Sequence, residues 1–227
     1  MKRIHFEEID STNTYAKEMR SEGEDLIITA TRQTGGRGTK GRCFVSKEGG
    51  VYLTSLRFYD NFPAKNAFEI MAGAAVAVCE TLSFYGLKPV IKWSNDVFVN
   101  GKKICGILIE NTLSGGNISS SIVGIGLNVN TSFEGELESI ATSMRLEGGK
   151  SFSVEEVTER LIAELSKKRS MEEYRAYLGF MRQTVTLIVG DKRIPATLLS
   201  VDDEGKLHAD IEGETRVFSS AEVSIWP

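Results

Sequence analysis

A loop rich in glycine and basic residues is the feature that most constrains how this chain can fold. Gln33-Thr34-Gly35-Gly36-Arg37-Gly38-Thr39-Lys40-Gly41-Arg42 holds four glycines and three cations. Because it lies between two strand-like runs, 25–32 and 50–58, it must be presented by a sheet. Glycine lets backbone N–H groups approach a ligand closely, and arginine offers a fixed donor fork for phosphate or carboxylate. The loop is therefore suited to cover an anion.

Familiar nucleotide motifs do not explain this loop. Gly36-x-Gly38-x-x-Gly41 has the spacing of the dinucleotide fingerprint, but that motif opens a helix, whereas residues 43–50 read as loop and strand. Gly36-x-x-x-x-Gly41 also approaches a P-loop, yet Arg42 and Cys43 stand where lysine and a hydroxyl residue are required. From this stretch alone, a disordered basic surface loop is the alternative interpretation.

The composition is that of an ordinary globular protein. The 227 residues are 41% hydrophobic and 26% charged, with a net charge of −4. This acidic balance argues against a dedicated nucleic-acid binder and favours a small anionic ligand. Three scattered cysteines and two histidines predict neither a disulfide framework nor a structural zinc site. Without a signal peptide, and with an apolar stretch at 70–78 too short to span a bilayer, the chain is expected to be cytoplasmic and to make no membrane contact.

Strand and helix signals predict an α+β fold. Strand-like runs occupy 2–6, 25–32, 50–58, 89–93, 96–99, 103–110 and 119–129, and helices are predicted at 11–20, 67–85, 153–169 and 170–180. The stretch 130–150 reads as a polar, glycine-rich break. Five short strand candidates with Gly/Asp turns then predict a small barrel. We place the domain boundary after residue 182.

A second motif puts polar residues across a hairpin. Lys92-Trp93-Ser94-Asn95-Asp96 precedes an Asn100-Gly101 turn, and Lys103 begins the returning strand. A charge in a core strand costs several kcal/mol unless it is paired. The hairpin therefore either has a solvated face with ordinary salt bridges, or holds an anion with lysine and a cation or amine with Asn and Asp.

Three blocks, in this order, resemble the biotin protein ligases, whose catalytic domain is shared with lipoate ligases. Asp10-Ser11-Thr12-Asn13 is similar to the family's STN element, and residues 33–42 are similar to its GRGRxGR loop. Lys92–Asp96 with Lys103–Glu110 resembles its KWPND hairpin and the following K-x-x-G-I-L-x-E strand. The ordered set is specific, and with the mixed α/β part followed by a small barrel the resemblance covers essentially the whole chain. It implies a mixed-sheet catalytic domain over 1–182 and an SH3-like β-barrel over 183–227.

The resemblance implies an ATP-dependent ligase with two half-reactions. Biotin and ATP form biotinyl-5′-AMP, and a lysine of a biotin carboxyl carrier protein then attacks this mixed anhydride. ATP is expected as co-substrate and Mg²⁺ as metal. Two anions meet in the first step, so cationic preorganisation must offset their repulsion. The alternatives are a lipoate or octanoyl ligase on the same fold, a catalytically idle biotin-binding module, and a nucleotide-binding protein of unrelated chemistry.

The family's motifs also imply roles for individual residues. The catalytic set is Lys103, Arg37 and Asp96, with Lys103 on the biotin carboxylate and α-phosphate and Asp96 placing the acceptor amine. The expected biotin-binding residues are Ser11, Thr12, Asn13, Gln33, Gly36, Arg37, Gly38, Thr39, Lys103 and Gly106. The expected ATP-binding residues are Arg37, Arg42, Phe44, Lys92, Asn95 and Lys103, and Asn95 is also expected to help place Mg²⁺.

Departures from the family pattern carry expectations of their own. Thr39 stands where the family has another basic loop residue, so we expect weaker retention of the reactive adenylate. Ser94 replaces a proline, while Trp93 and Cys105 are expected to pack rather than react. Because only ten residues precede Ser11, no helix-turn-helix fits there and we expect no DNA binding. Sheet-edge dimers occur in the family, so a homodimer is among the partners considered.

Overall fold

The N-terminal part of this computed structural model is a seven-stranded mixed sheet; residues 1–226 are described, Lys40 and Trp226 by their backbone alone. The strands are β1 (Lys2–Ile9), β2 (Leu26–Gln33), β3 (Gly50–Pro63), β4 (Val90–Lys92), β5 (Asp96–Val99), β6 (Lys102–Ser114) and β7 (Asn117–Asn128). Their order across the sheet is β1-β2-β3-β7-β6-β5-β4. Strands β1 and β2 run parallel, and every other neighbouring pair runs antiparallel.

Helices cover both faces of this sheet. They are α1 (Thr12–Met19), α2 (Ala67–Phe84), α3 (Glu136–Ile140), α4 (Met144–Gly148), α5 (Val154–Leu165) and α6 (Met171–Tyr177). Ala16 of α1 packs with Leu26 and Ile28, whereas the buried residues of α2 pack with the intervening Ile27. Since successive side chains of a strand point to opposite faces, α1 and α2 lie on opposite sides of the sheet.

Helix α2 is the central helix of the core. The stretch Ala64–Phe84 has a mean hydropathy of 1.5 and is long and apolar enough to cross a membrane, although residues 70–78 alone suggested that no such stretch exists. Half of its apolar window is buried, and α2 packs on β4, β5 and β6 and against α5 and α6. These contacts on several sides account for its apolar composition, and we treat it as a core helix.

The C-terminal part is a five-stranded antiparallel sheet. Its strands are β8 (Thr184–Val189), β9 (Lys192–Val201), β10 (Leu207–Ile211), β11 (Glu214–Phe218) and β12 (Val223–Trp226), in the order β11-β10-β9-β8-β12. The predicted α+β class and the five short strands are confirmed. Within residues 1–226 no pairing joins the two edge strands β11 and β12, so the predicted closed barrel is not shown. The boundary after residue 182 stays a prediction.

Strands β1, β3 and β6 run several residues longer than predicted, and two helical stretches also differ from the sequence-based prediction. The polar break at 130–150 contains the short helices α3 and α4; Ser143 caps α4, and Thr142 N–H donates to the Lys103 carbonyl on β6. Helix α5 ends at Leu165, one turn before the predicted Arg169. The adjacent Glu164 carboxylate is almost fully buried and is paired with Arg160, Lys167 and Arg169. Lys167 and Arg169 follow the end of the helix, so the chain turns there and brings their side chains to this carboxylate.

The second sheet packs tightly against the first part of the chain. Buried residues of both sheets belong to one continuous apolar cluster. At the contact, the backbone of Gly205, in the β9–β10 turn, lies against the Phe68 ring, and the Gly205 carbonyl accepts a hydrogen bond of 2.9 Å from Trp93 Nε1. The predicted packing role of Trp93 is consistent with this buried position.

This contact makes Gly205 sensitive to the smallest added side chain. Gly205 has φ +78°, and a Cβ there would overlap the Phe68 ring. We expect Gly205→Ala to lower the free energy of unfolding by about 2–4 kcal/mol, combining overpacking with the left-handed backbone cost. The matched control is Gly213→Ala in the β10–β11 turn, with φ +86° and open space around it, which should cost only about 1–2 kcal/mol. Urea unfolding of both variants checks this, and equal losses would contradict it.

Candidate functional site

A bulge on β6 decides which way Lys103 points. The pairing of β5 with β6 shifts register between Val97 and Phe98, so that Val97 faces Cys105 and Phe98 faces Lys103. The extra residue, Ile104, is fully buried in the core beside Cys105. Lys103 is thereby turned to the face that carries Asp96 and Gly106, instead of the core face that strict alternation would give it. This bulge was not predicted from the sequence.

Asp96 is the charged centre of this face. Its carboxylate lies 2.6 Å from Lys103 Nζ and 3.8 Å from Lys92 Nζ, and its side chain is only 15% exposed. Burial lowers the pKa of the Lys92 ammonium, with Lys103 and Arg42 acting in the same direction and Asp96 opposing them. The solvated hairpin with ordinary salt bridges is therefore not what the structure shows: the charges are largely buried and meet at one carboxylate.

Asn95 is held beside this centre by its own strand neighbour. Its Nδ2 donates to the Ile107 carbonyl at 2.8 Å, and Ile107 N–H donates back to the Asn95 carbonyl at 3.0 Å. These two bonds fix the side-chain amide. Its oxygen accepts one long hydrogen bond of 3.5 Å from the Ser94 hydroxyl, so one of its two acceptor positions remains for a ligand.

The basic loop is folded and internally bonded. Phe44 N–H donates to the Gly36 carbonyl at 2.9 Å, and Gly38 N–H donates to the Arg42 carbonyl at 2.7 Å. The Arg42 guanidinium bonds the Thr39 carbonyl and hydroxyl at 3.2 and 3.0 Å. The alternative of a disordered basic loop does not match this geometry.

Phe44 lies where the sheet has no side chains. Gly106 and Gly126 pair across β6 and β7, and a Cβ on either would meet the Phe44 ring, at 3.3 Å for Gly106 and 2.5 Å for Gly126. Glycine is therefore required at Gly126 for the aromatic ring to lie this close to the strands.

A polar network surrounds the start of α1 beside the ring. Gln33 Oε1 accepts from Thr12 N–H and Thr12 Oγ1 at 2.8 and 3.0 Å, and Gln33 Nε2 donates to Ser46 Oγ at 2.9 Å. The Ser46 hydroxyl then donates to the Phe44 carbonyl at 3.0 Å. This chain of bonds joins the start of α1 to the basic loop.

Asn13 is oriented by residues that the sequence analysis did not assign. Its Oδ1 accepts from Thr54 Oγ1 at 2.6 Å, and its Nδ2 lies 3.4 Å from Glu110 Oε2. Glu110 is itself bonded to Lys17 Nζ at 2.6 Å. Gly124 has no room for a Cβ because the Asn13 amide lies over it. Thr54, Glu110 and Gly124 come together at Asn13 only through the register of β3, β6 and β7.

Most of the predicted site residues share one cleft. It is lined by Ser11, Thr12, Asn13, Gln33, Arg37, Gly38, Thr39, Phe44, Asn95, Asp96, Lys103 and Gly106, together with β6 and β7 residues, and has a volume of about 40 Å³. Gly36 does not line it, because this glycine packs behind the loop against the Phe44 carbonyl and Ser46 hydroxyl. Arg42 and Lys92 line two larger adjoining clefts instead.

The adjoining clefts meet the first at Asp96. One, of about 340 Å³, lies toward the second sheet and is lined by Trp93, Asn95, Ser224 and Ile225 among others. The other, of about 660 Å³, lies between Phe44 and α3 and is lined by Val45, Phe133, Leu137 and Ile140 with the lysines. Four predicted cations, Arg37, Arg42, Lys92 and Lys103, border these three clefts against the Asp96 carboxylate, so an anion is favoured at their junction.

Cys105 lies on the opposite, core side of β6. It is fully buried, and burial raises the pKa of its thiol well above the usual range. A protonated, inaccessible thiol is not a nucleophile, which agrees with the packing role predicted for it.

Comparison with known proteins identifies the class of this fold and site. Residues 5–128 match the biotin/lipoate A/B protein ligase family. The bifunctional ligase/repressor BirA of Bacillus spizizenii is 30% identical, over 98% of this chain and 73% of the relative. The biotin–[acetyl-CoA-carboxylase] ligase of Mycobacterium tuberculosis is 27% identical, over 94% and 85%. Among solved structures, the biotin protein ligase from Aquifex aeolicus in complex with biotin and ATP is 27% identical, with a TM-score of 0.80 over 99% and 98% of the two chains.

The chain belongs to the biotin/lipoate A/B protein ligase family. Its resemblance to the biotin protein ligases, first visible in three short motifs, is thereby confirmed, and so is the prediction that it is a ligase enzyme.

The packing of Phe44 on Gly126 predicts how firmly the basic loop is held. We expect Gly126→Ala to displace the ring and raise the rate of tryptic cleavage after Arg37 and Arg42 about fivefold or more, as a loss of ~1 kcal/mol of loop stability would. Gly73→Ala on α2, where a Cβ meets nothing within 4 Å, is the control and should leave the cleavage rate unchanged. Parent-like cleavage of Gly126→Ala would show that Phe44 does not anchor the loop.

Proposed function

We propose that this protein activates biotin with ATP as biotinyl-5′-AMP and transfers the biotinyl group to a lysine of a biotin carboxyl carrier protein. The observation that carries the proposal is the Lys103–Asp96 pair beside Asn95, at the junction of three clefts bordered by four cations. The likeness to a ligase structure holding biotin and ATP supports it.

The first half-reaction joins two anions. A biotin carboxylate oxygen attacks the α-phosphorus, the bond from that phosphorus to the bridging oxygen breaks, and pyrophosphate leaves. Lys103 would contact the carboxylate and an α-phosphate oxygen together, and Arg37 would lie over the same junction. Fixed cations at this point offset the repulsion between the reactants without reorganising during the reaction.

The second half-reaction needs an acceptor amine near the mixed anhydride. The neutral amine nitrogen attacks the biotinyl carbonyl carbon, the bond from that carbon to the phosphate oxygen breaks so that AMP leaves, and the attacking nitrogen passes a proton to Asp96 or to water. Asp96 would hold the incoming ammonium or amine, with Lys103 remaining on the departing phosphate.

Biotin and the nucleotide would occupy different parts of the site. The polar network of Thr12, Asn13 and Gln33 offers hydrogen bonds to a ureido group. The 660 Å³ cleft, walled by Phe44, Val45 and the exposed Leu137 and Ile140, offers apolar and aromatic surface for a base. The central cleft alone encloses only about 40 Å³, less than the several hundred Å³ of typical ligand sites, so biotin would also occupy adjoining space or displace Phe44 and the loop.

The donor set suits Mg²⁺ bound mainly through substrate. Among the described residues no cluster of three acidic, histidine or cysteine side chains could hold a metal. Mg²⁺ commonly uses one or two protein oxygens and completes its shell with phosphates and water. The side-chain oxygen of Asn95, which accepts only a long hydrogen bond from Ser94, fits this pattern, and the metal would neutralise phosphate charge. The absence of DNA binding, a homodimer and a cytoplasmic location stay predictions.

Biotin- and ATP-dependent labelling of a purified carrier domain tests the proposal directly. We expect labelled carrier and pyrophosphate release only when biotin and ATP are both present. Turnover with lipoate or octanoate but not biotin would instead identify the lipoate-type relative. Biotin binding without pyrophosphate release would identify an idle binding module.

The Lys103 side chain is expected to be essential for adenylate formation. We predict that Lys103→Ala lowers the rate of biotin-dependent pyrophosphate release at least about 100-fold, as loss of a preorganised charge does elsewhere, while the protein stays folded. The control is Lys102→Ala on the same strand, whose exposed ammonium bonds the Glu138 carbonyl at 2.8 Å and should keep activity. Near-parental pyrophosphate release from Lys103→Ala would refute the assigned role.

Thr39 is expected to determine how well the adenylate is retained. Thr39 stands where the family has a basic residue, and its carbonyl and hydroxyl accept hydrogen bonds from the Arg42 guanidinium. We predict that Thr39→Arg slows release of free biotinyl-5′-AMP several-fold, because a guanidinium fork can bond phosphate twice. Thr39→Met removes the hydroxyl without adding charge and serves as the control. Equal rates of biotinyl-5′-AMP release from the parent and from Thr39→Arg would contradict this role of residue 39.

A further inference from the structure

Residues 93 and 94, which precede Asn95 and Asp96, are hydrogen-bonded to buried groups on α6 and the second sheet that take no part in the proposed chemistry. The Tyr174 hydroxyl on α6 donates to the Ser94 carbonyl at 2.9 Å, and Trp93 Nε1 donates to Gly205 at 2.9 Å. Tyr174 is fully buried and Ser94 nearly so. Burial raises the pKa of the Tyr174 phenol well above its usual range, so the hydroxyl remains a donor at all working pH values.

The Tyr174 ring is itself fixed by aromatic packing. It meets the Phe68 ring edge to face at a centroid distance of 5.3 Å, and Phe68 in turn lies against Gly205 of the second sheet. The phenol therefore has a set position before any ligand binds. Its hydroxyl contacts the peptide group that joins Ser94 to Asn95, one residue before the side chain assigned to the metal and two before the charged centre.

The opposite side of the same segment is also held. Asn95 exchanges backbone and side-chain bonds with Ile107, and Asp96 pairs with Gly106 across β5 and β6. Residues 93–96 are thus clamped between β6 on one side and α6 with the second sheet on the other. Removing the hydrogen bonds on one side would therefore loosen the backbone next to the reacting groups without changing those groups themselves.

We infer that Tyr174 is a positioning residue for Asn95 and Asp96, through the hydrogen bond from its hydroxyl to the Ser94 carbonyl. The inference rests on the proposed function, since it concerns the rate of that reaction. It assigns the contact between α6, the second sheet and the catalytic hairpin a role in aligning the site, in addition to burying apolar surface. Catalytic groups lose rate steeply when displaced by small distances.

Tyr174→Phe isolates the hydroxyl while keeping the ring against Phe68. The expected result is a fall of about tenfold in kcat for biotin-dependent pyrophosphate release, the scale of one lost buried hydrogen bond. The dissociation constant for biotin alone, measured by calorimetry, should stay within about twofold of the parent, because the assigned biotin residues on α1 and β2 make no hydrogen bond to Tyr174.

The matched control is Tyr177→Phe, the same chemical change one turn further along α6. The Tyr177 hydroxyl bonds Glu80 at 3.0 Å and lies 3.5 Å from Ser83, both on α2 and remote from residues 93–96. We expect parental kcat from this variant, whatever its effect on the melting temperature. Amide ¹H–¹⁵N spectra should show the Asn95 side-chain resonance shifted in Tyr174→Phe and unshifted in Tyr177→Phe.

The outcomes separate this inference from the proposed function. If the parent protein itself releases no pyrophosphate with biotin and ATP, the proposed function fails. If the parent is active and Tyr174→Phe has a kcat within twofold of it, only the positioning role fails. A fall in kcat accompanied by an equal loss of biotin affinity, or by an unchanged Asn95 resonance, would likewise overturn it, since general loosening of the fold would then explain the change.

Discussion

The Asp96 carboxylate is the group on which the arrangement of the site depends. Two lysine ammonium groups converge on it from β4 and β6, and all three side chains are substantially shielded from water. Without Asp96, the lysines would repel each other in a region where burial already lowers the pKa of Lys92. With it, the attraction of the carboxylate opposes the lowering of the Lys92 pKa, and two formal cations face one anion, to which Arg37 and Arg42 add further positive charge. A single carboxylate thus makes a concentrated cationic centre tolerable in a partly buried hairpin, and leaves that centre in need of an anion.

Glycines on the two neighbouring strands determine what can approach this centre. Gly106 and Gly126 leave bare backbone beneath Phe44, and Gly124 leaves room for the Asn13 amide. On a strand, one missing side chain opens a gap on one face only, so the core face beneath keeps its apolar residues, including Ile107, Val123 and Ile125. The face of the sheet toward α2 is therefore a packed apolar core, whereas the face toward α1 forms the polar base of the cleft. The same glycines that admit the aromatic ring also fix its height above the strands.

Features of this site that depend on interactions between residues close in the sequence could be predicted from it. Features that depend on contacts between distant strands could not. The strands and helices were predictable because hydrophobic period and capping residues are local: Ser11 and Ser170 cap the helices that follow them, and Asn100-Gly101 makes the hairpin turn with positive φ at both residues. The Ile104 bulge was not predictable from local signals, because strict alternation would have placed the Lys103 side chain on the core face. Only the resemblance to a known family assigned that lysine to the site. Glu110, Thr54 and Gly124 were missed for a similar reason, because their relation to Asn13 exists only once β3, β6 and β7 are in register. The helices in 130–150 depend on contacts with Lys103 and Asn128 that no local pattern shows.

The site separates fixed charges from a movable cover, and the separation has a physical basis. Lys92, Asn95, Asp96 and Lys103 stand on or between sheet strands and are held by ladder bonds, a bulge and the packing of the second sheet. Arg37, Thr39, Arg42 and Phe44 stand on a loop held by a few internal hydrogen bonds and one ring lying on glycines. The central cleft alone encloses only about 40 Å³, and the loop, which lacks a sheet ladder along its length, is the part of its wall that we expect to give way to a bicyclic ligand. Movement of the loop would open the cleft while leaving the distance between Lys103 and Asp96 unchanged. On the proposed function, a reactive acyl phosphate would form on rigid groups and be enclosed by the cations of the loop, so that retention of the intermediate and the chemistry of its formation would depend on different residues.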